Sequence, residues 1–207
     1  MGKYRSIPAP GCNVKVMNGN TKLGKTPNVS LLPIVTCDRT IGCALRKKCY
    51  ACKFLKRKTV REAWGHNTRQ AENPVAFFDS LRAWFAKHSP RFFRFFVGGD
   101  LPSAEFWQEM IRFAAEYPET RFLLFTKRYA WVNANPNNTE NLTVVFSAWP
   151  GTEVPNPDGR PIAWMREPAD PDPRIPTDAI ECEGDCETCG LCWSLPRIGL
   201  DVVFDKH

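Results

Sequence analysis

The chain has 207 residues, 43% of them hydrophobic, with 14 Phe and 7 Trp, which fits one domain with a real apolar core and excludes a disordered or fibrous chain. Its net charge of +6 is modest, so the distribution of charge says more than its size. No apolar run approaches the ~18 residues of a membrane span, and the first residues lack the apolar stretch of a secretory signal, so a reducing cytoplasm is the expected compartment.

Residues 1–28 read as irregular, with Pro8, Pro10 and Pro27 and a turn at Asn18-Gly19-Asn20. Ser30 to Thr36 reads as a short apolar strand that Pro33 confines to an edge or a bulge. A Cys-rich loop follows at once. A helix is expected from about Thr59 to Ala71. A second begins at Asn73-Pro74, an N-cap followed by proline at the first helical position, with Phe77, Phe78, Leu81, Trp84 and Phe85 at helical spacing behind it. Phe92 to Val97 is nearly all apolar, the pattern of a strand covered on both faces, and Gly98-Gly99-Asp100 ends it. A helix near Ser103 carries Phe106, Trp107, Met110, Ile111 and Ala114 on one side. Strands at 121–125 and 142–147 flank a short helical stretch reaching about Val132. Residues 150–176 read as a long, ordered, Pro- and Asp-rich connection in which only 162–165 is strand-like, and 200–204 closes as a last strand.

This alternation predicts an α/β fold with a parallel sheet and helices outside it. The division expected is a single domain over 1–207, with a βα core at 28–149 and a 150–207 segment holding the connection, a second Cys group and the last strand. Ligands of such sheets sit at the carboxyl ends of strands. There the sequence places the first Cys loop, Gly98-Gly99-Asp100, Thr126-Lys127-Arg128 and Ser147-Ala148-Trp149.

Eight of the nine cysteines fall into two groups, Cys37-x5-Cys43-x5-Cys49-x2-Cys52 and Cys182-x3-Cys186-x2-Cys189-x2-Cys192. Disulfide frameworks spread cysteines to close loops, whereas thiols this close converge on one inorganic centre. The second group has the short consecutive spacings of a [4Fe–4S] cluster, with zinc as the alternative. In the first, Cys37, Cys43 and Cys49 would leave one iron open to a small molecule, and Cys52 could instead fill that corner. A third arrangement joins Cys49 and Cys52 to Cys189 and Cys192 in one zinc site. Cys12 reads as a plain thiol that could supply a ligand. Between Arg46 and Arg61 lie Lys47, Lys48, Lys53, Lys56, Arg57 and Lys58 with no acid among them. This 46–61 run reads as a solvated face, as compensation for thiolate charge, or as a nucleic-acid contact.

Cys37-x5-Cys43-x5-Cys49-Tyr50-Ala51-x-Lys53, Phe96-Val97-Gly98-Gly99-Asp100-Leu101-Pro102-Ser103, the 122–128 segment ending in Thr126-Lys127-Arg128, and the group ending in Cys192-Trp193 together resemble the gene-product-88 domain family of actinobacteriophages. That family is in turn similar to radical S-adenosylmethionine (SAM) enzymes. The resemblance implies a partial (βα) barrel of the radical-SAM type. It implies two [4Fe–4S] clusters: one on Cys37, Cys43 and Cys49 that binds SAM, the other an auxiliary cluster on Cys182, Cys186, Cys189 and Cys192. It further implies that Gly98, Gly99 and Asp100 contact the SAM amino group, and that Tyr50 is the aromatic residue common beside the last cluster Cys. Thr126 and Lys127 are candidates on the same rim, with Lys127 and Arg128 holding an anionic group. An electron donor would be the partner, and the host cytoplasm the location. The departures are Asp100 in place of Glu, a first loop without Cys-x3-Cys-x2-Cys, and a chain short for eight barrel units. The competing expectation is a non-enzymatic cluster- or zinc-binding phage protein contacting nucleic acid or a host protein.

Overall fold

The computed structural model describes residues 11, 13–19, 22–40, 49–167, 169 and 171–205. Two short strands open it, β1 (Met17–Asn18) and β2 (Pro27–Val29), paired antiparallel. Gly19 between them takes φ 43° and donates its N–H to the Thr26 carbonyl at 3.1 Å. Part of the segment expected to be irregular is therefore strand. The strand expected at 30–36 lies earlier, at 27–29. Leu31 still donates its N–H to the Gly98 carbonyl at 3.0 Å, but Pro33 has no N–H to offer and Ile34 turns to φ 72°, so the chain leaves the sheet.

Two helices follow, α1 (Tyr50–Phe54) and α2 (Lys58–Gln70). Asn67 of α2 has no exposed surface. Its side chain accepts the Lys15 N–H at 2.7 Å and donates to the carbonyls of Lys15 at 3.0 Å and Ser30 at 3.1 Å. One residue on, the Thr68 hydroxyl accepts the Leu32 N–H at 2.8 Å. The helix thus holds both the first strands and the start of the Cys37 loop. Helix α3 (Pro74–His88) begins at its expected cap, with Asn73 accepting the Ala76 N–H at 3.1 Å, and α4 (Ala104–Glu116) begins with Ser103 accepting the Phe106 N–H at 3.1 Å.

Between and after them run β3 (Phe92–Phe95), β4 (Arg121–Thr126), α5 (Tyr129–Ala134), β5 (Leu142–Ala148) and β6 (Ile162–Arg166). The final quarter holds β7 (Ile180–Glu181), α6 (Cys186–Cys189), a 3-10 turn at Leu191–Trp193, α7 (Leu195–Ile198) and β8 (Val202–Asp205). The described residues form a mixed α/β fold on one eight-stranded sheet in the order β1-β2-β3-β4-β5-β6-β8-β7, parallel from β2 onward. The strand-like 162–165 stretch is a full member of it, pairing with both β5 and β8.

Alternation along the strands sorts the two faces. Phe93, Phe95, Phe122, Leu124, Val144 and Phe146 join the helix-side core with Phe78, Phe85 and Phe113. Phe92, Leu123, Phe125 and Val145 point the other way and pack with Trp193, Leu195 and three of the C-terminal cysteines. Beyond β5 the helix side is covered by the 150–179 connection, where Trp164 Nε1 donates to Asp201 at 2.7 Å and Ile175 and Ala179 pack on Val203.

Replacing Asn67 by Ala strips a buried donor and two carbonyls of their partner at once, so Asn67→Ala is expected to cost about 3 kcal/mol. Urea unfolding should show this as a lowered midpoint with an unchanged slope.

Candidate metal centre

Strands β2, β3 and β4 end on one rim of the sheet, and Asp100 ties their loops together. Its backbone N–H donates to the Thr36 hydroxyl at 3.0 Å. Its carboxylate accepts the Leu101 N–H at 2.8 Å, the Thr126 hydroxyl at 2.6 Å and the Lys127 N–H at 2.9 Å. Burial pushes this carboxyl up, and the Thr126 and backbone donors draw it back down. Arg128 is also committed: it donates to the carbonyls of Leu101 at 3.2 Å and Thr36 at 2.7 Å, pairs with Asp38 at 3.3 Å and lies 4.4 Å over the Trp131 ring. Arg128 is thus a strut between loops, where the sequence suggested a cation open to an anionic ligand.

The glycines before Asp100 have steric reasons of their own. A Cβ on Gly98 would come within 2.3 Å of the Trp64 ring. Gly99 has φ +81°, and a Cβ there would stand 2.8 Å from both Leu31 Cβ and Thr36 Oγ1. Tyr50 is half exposed, and its hydroxyl donates to the Val97 carbonyl at 2.6 Å, which fastens α1 to the exit of β3. Cys37 Sγ accepts the Ile34 N–H at 3.3 Å, Cys49 precedes α1, and Cys52 lies within it. The rim therefore brings together Cys37, Tyr50, Gly98, Gly99, Asp100, Thr126 and Lys127. Cys43 and Cys12 lie outside the described residues. Of the three non-glycine residues with positive φ among the described ones, Ile34 and Phe96 stand at this rim, the kind of local strain that functional sites carry.

The second group lies on the sheet face opposite the helices. Cys182, Cys186, Cys189 and Cys192 line one pocket with Trp193 and Leu195 as part of its wall. Cys182 leaves β7 with its N–H on the Val203 carbonyl at 3.0 Å. Cys186 and Cys189 bound α6, which Asp185 caps by accepting from the Thr188 hydroxyl at 2.7 Å and N–H at 3.4 Å. Cys186 N–H donates to the Lys22 carbonyl at 2.7 Å. Burial pushes the Cys186 thiol up and the Cys192 thiol up to about 12, while the Arg94 guanidinium draws them back and the neighbouring cysteines raise them further. Cys49 and Cys52 do not enter this pocket, so the structure groups Cys189 and Cys192 with Cys182 and Cys186.

Among the described residues, no group of three or more His, Cys, Asp or Glu side chains stands close enough together to hold a metal ion. Two observations nevertheless fit this pocket to an anionic metal–sulfur group. Four thiols are gathered in it, and two buried N–H donors have no hydrogen-bond partner: Nε1 of Trp193, which lines the pocket, and Nε of Arg94, whose guanidinium lies over the Phe125 ring that packs with Cys182, Cys186 and Cys192. Gly184 and Gly190, with φ +84° and +60° and open space around them, let the intervening turns tighten. Elsewhere, Lys56, Arg57, Lys58 and Arg61 of the basic run are exposed, with Lys58 facing Glu62 at 3.8 Å. No helix among the described residues is long and apolar enough to cross a membrane.

Sequence reasoning found the thiols and the strand-end segments. It missed Thr36 and Asn67, and it missed Arg94, whose signal was a single charge in the apolar run 92–97. Gly99→Ala is expected to cost about 2 kcal/mol through its φ and its contacts with the Cys37 loop, read by urea unfolding. In the chelator-treated chain near neutral pH, iodoacetamide followed by peptide mass mapping should label the four C-terminal cysteines with exposed Cys189 first and Cys192 last.

A protein-family model described as Gene product 88 matches residues 13–195. Comparisons with curated proteins and with solved structures found no match. The match runs from before β1 into α7 and takes in both thiol groups, the Asp100 rim and the four-thiol pocket, and the chain belongs to the Gene product 88 family of phage gene products.

Proposed function

We propose that this protein is an iron–sulfur protein of radical-SAM type, with one [4Fe–4S] site on Cys182, Cys186, Cys189 and Cys192 and a second on Cys37, Cys43 and Cys49 that takes SAM. The observation that carries the reading is the gathering of all four C-terminal thiols in one pocket whose wall includes Trp193, with its Nε1 unpartnered. Bound there, a cluster with four protein thiolates supplies single electrons and no open coordination position. The parallel run from β2 to β8, with ligand-bearing loops at strand ends, supports a partial (βα) barrel.

The chain's own residues divide the work. On the rim, Thr36, Asp100, Thr126 and Arg128 hold the Cys37 loop against the exits of β3 and β4. Tyr50 does the same for the segment that carries Cys49. Gly98 and Gly99 keep that rim close-packed, and Lys127 is the cation beside it for an anionic group. Because Asp100 already accepts three donors, its part toward SAM is to position the Lys127 turn. In the C-terminal pocket, Trp193 and Leu195 exclude water. Such a protein needs an electron donor as its partner.

Protein isolated without oxygen should be brown and carry about eight iron and eight sulfide per chain. Serine at Cys186 and Cys192 should remove about half of each, and SAM should change the EPR signal of the remainder. A colourless protein carrying only zinc would replace the cluster reading with a zinc-stabilised one. An EPR signal indifferent to SAM, with no 5′-deoxyadenosine formed, would remove the radical-SAM part and leave the clusters.

A further inference from the structure

We infer that Arg94 and Trp193 are positioning residues for the four-thiol site: Arg94 balances the charge of its sulfurs from the sheet below, and both donate N–H groups to them. This rests on the reading of that site as a metal–sulfur centre.

Strand β3 sets the geometry. Its alternation sends Phe93 and Phe95 to the helices and leaves Phe92 and Arg94 on the opposite face, under the Cys segment. A parallel strand covered on both faces has little tolerance for a charge without a purpose. The Arg94 guanidinium lies 4.8 Å over the ring of Phe125, which packs in the same cluster as Cys182, Cys186 and Cys192. Its Nε is buried and makes no hydrogen bond, and no ion pair to Arg94 is formed among the described residues. Trp193 repeats the pattern from above. Its ring packs 5.1 Å from Phe92, its carbonyl accepts Arg121 at 2.7 Å and Thr143 at 3.1 Å, yet its Nε1 is buried without a partner.

Buried donors normally find acceptors, and a neutral thiol is a poor one. A thiolate or sulfide is a good one. Four thiolates around a dipositive centre leave a net charge of about −2, which burial makes costly unless cations stand close. Arg94 supplies one, fixed on a central strand. Lys22 supplies a second, with its carbonyl on the Cys186 N–H and its ammonium 4.3 Å over Phe204. Because a one-electron reduction makes the centre more negative, a fixed cation beneath it stabilises the reduced form.

The test uses the full chain isolated without oxygen. Dithionite supplies the electrons, and EPR follows the centre that disappears in Cys192→Ser. Arg94→Met should make reduction about tenfold less favourable, a midpoint about 59 mV more negative. Arg94→Lys should restore most of that, and Trp193→Phe should move it the same way by less. If the centre is zinc, competition with a chromophoric chelator replaces the potential, and Arg94→Met should weaken Zn²⁺ binding about tenfold. A folded Arg94→Met with wild-type potential or Zn²⁺ affinity overturns the inference and leaves the site intact. Should Arg94→Met fail to fold, Arg94→Lys and Trp193→Phe decide, and wild-type values in both overturn it. If Cys192→Ser changes neither metal nor sulfide content, the site itself is absent and the inference falls with it.

Discussion

Parallel strands need cover on both faces, and that requirement organises this molecule. Helices α3 and α4 cover one face of β3, β4 and β5 with an aromatic core. No described helix of the βα core packs on the other. The last quarter of the chain does so, laying Trp193 and Leu195 on Leu123 and Val145 and bringing its cysteines with them. A thiol-bearing segment is thereby pressed against a sheet that carries a half-buried arginine, Arg94. The chemistry of the site and the completion of the core are the same packing event.

The rim of the sheet follows a different logic, in which polar groups replace apolar cover. Loops leaving three strands meet at Asp100, whose carboxylate accepts from its neighbour Leu101 and from Thr126 and Lys127 at the end of β4, while its N–H reaches Thr36 after β2. Arg128 then reaches back to Thr36 and Asp38. Such a network is costly when partly satisfied and rigid when complete, and it fixes the loop that carries Cys37. The strained φ of Ile34 and Phe96 is tolerated because packing and these bonds over-determine the loops around them.

Where elements carry their own local signal, sequence and structure agree. Asn73-Pro74 and Ser103 start their helices because a side-chain oxygen and a missing N–H act within one turn. The strand expected at 30–36 failed because apolar pattern is blind to backbone partners: Pro33 and Ile34 leave the sheet while Asn28 and Val29, just before them, find β3. Strand β7 and helix α6 are too short to carry a periodic signal at all and exist through their neighbours. Gly98-Gly99-Asp100 was legible as a special segment. Its steric fit to Trp64 and Leu31 was not, since those contacts join residues far apart in the chain.

The amino-acid order alone determined that thiols would stand in two tight groups, that strands and helices would alternate, and that polar segments would follow the strands. Each of these is written in spacing between near neighbours. Only the tertiary structure decided which face each group would occupy, that Cys189 and Cys192 would join Cys182 and Cys186, and that Arg94 would lie beneath them. Those outcomes depend on the two-residue period of β3 and on how the final segment covers the sheet, and both are set by long-range packing.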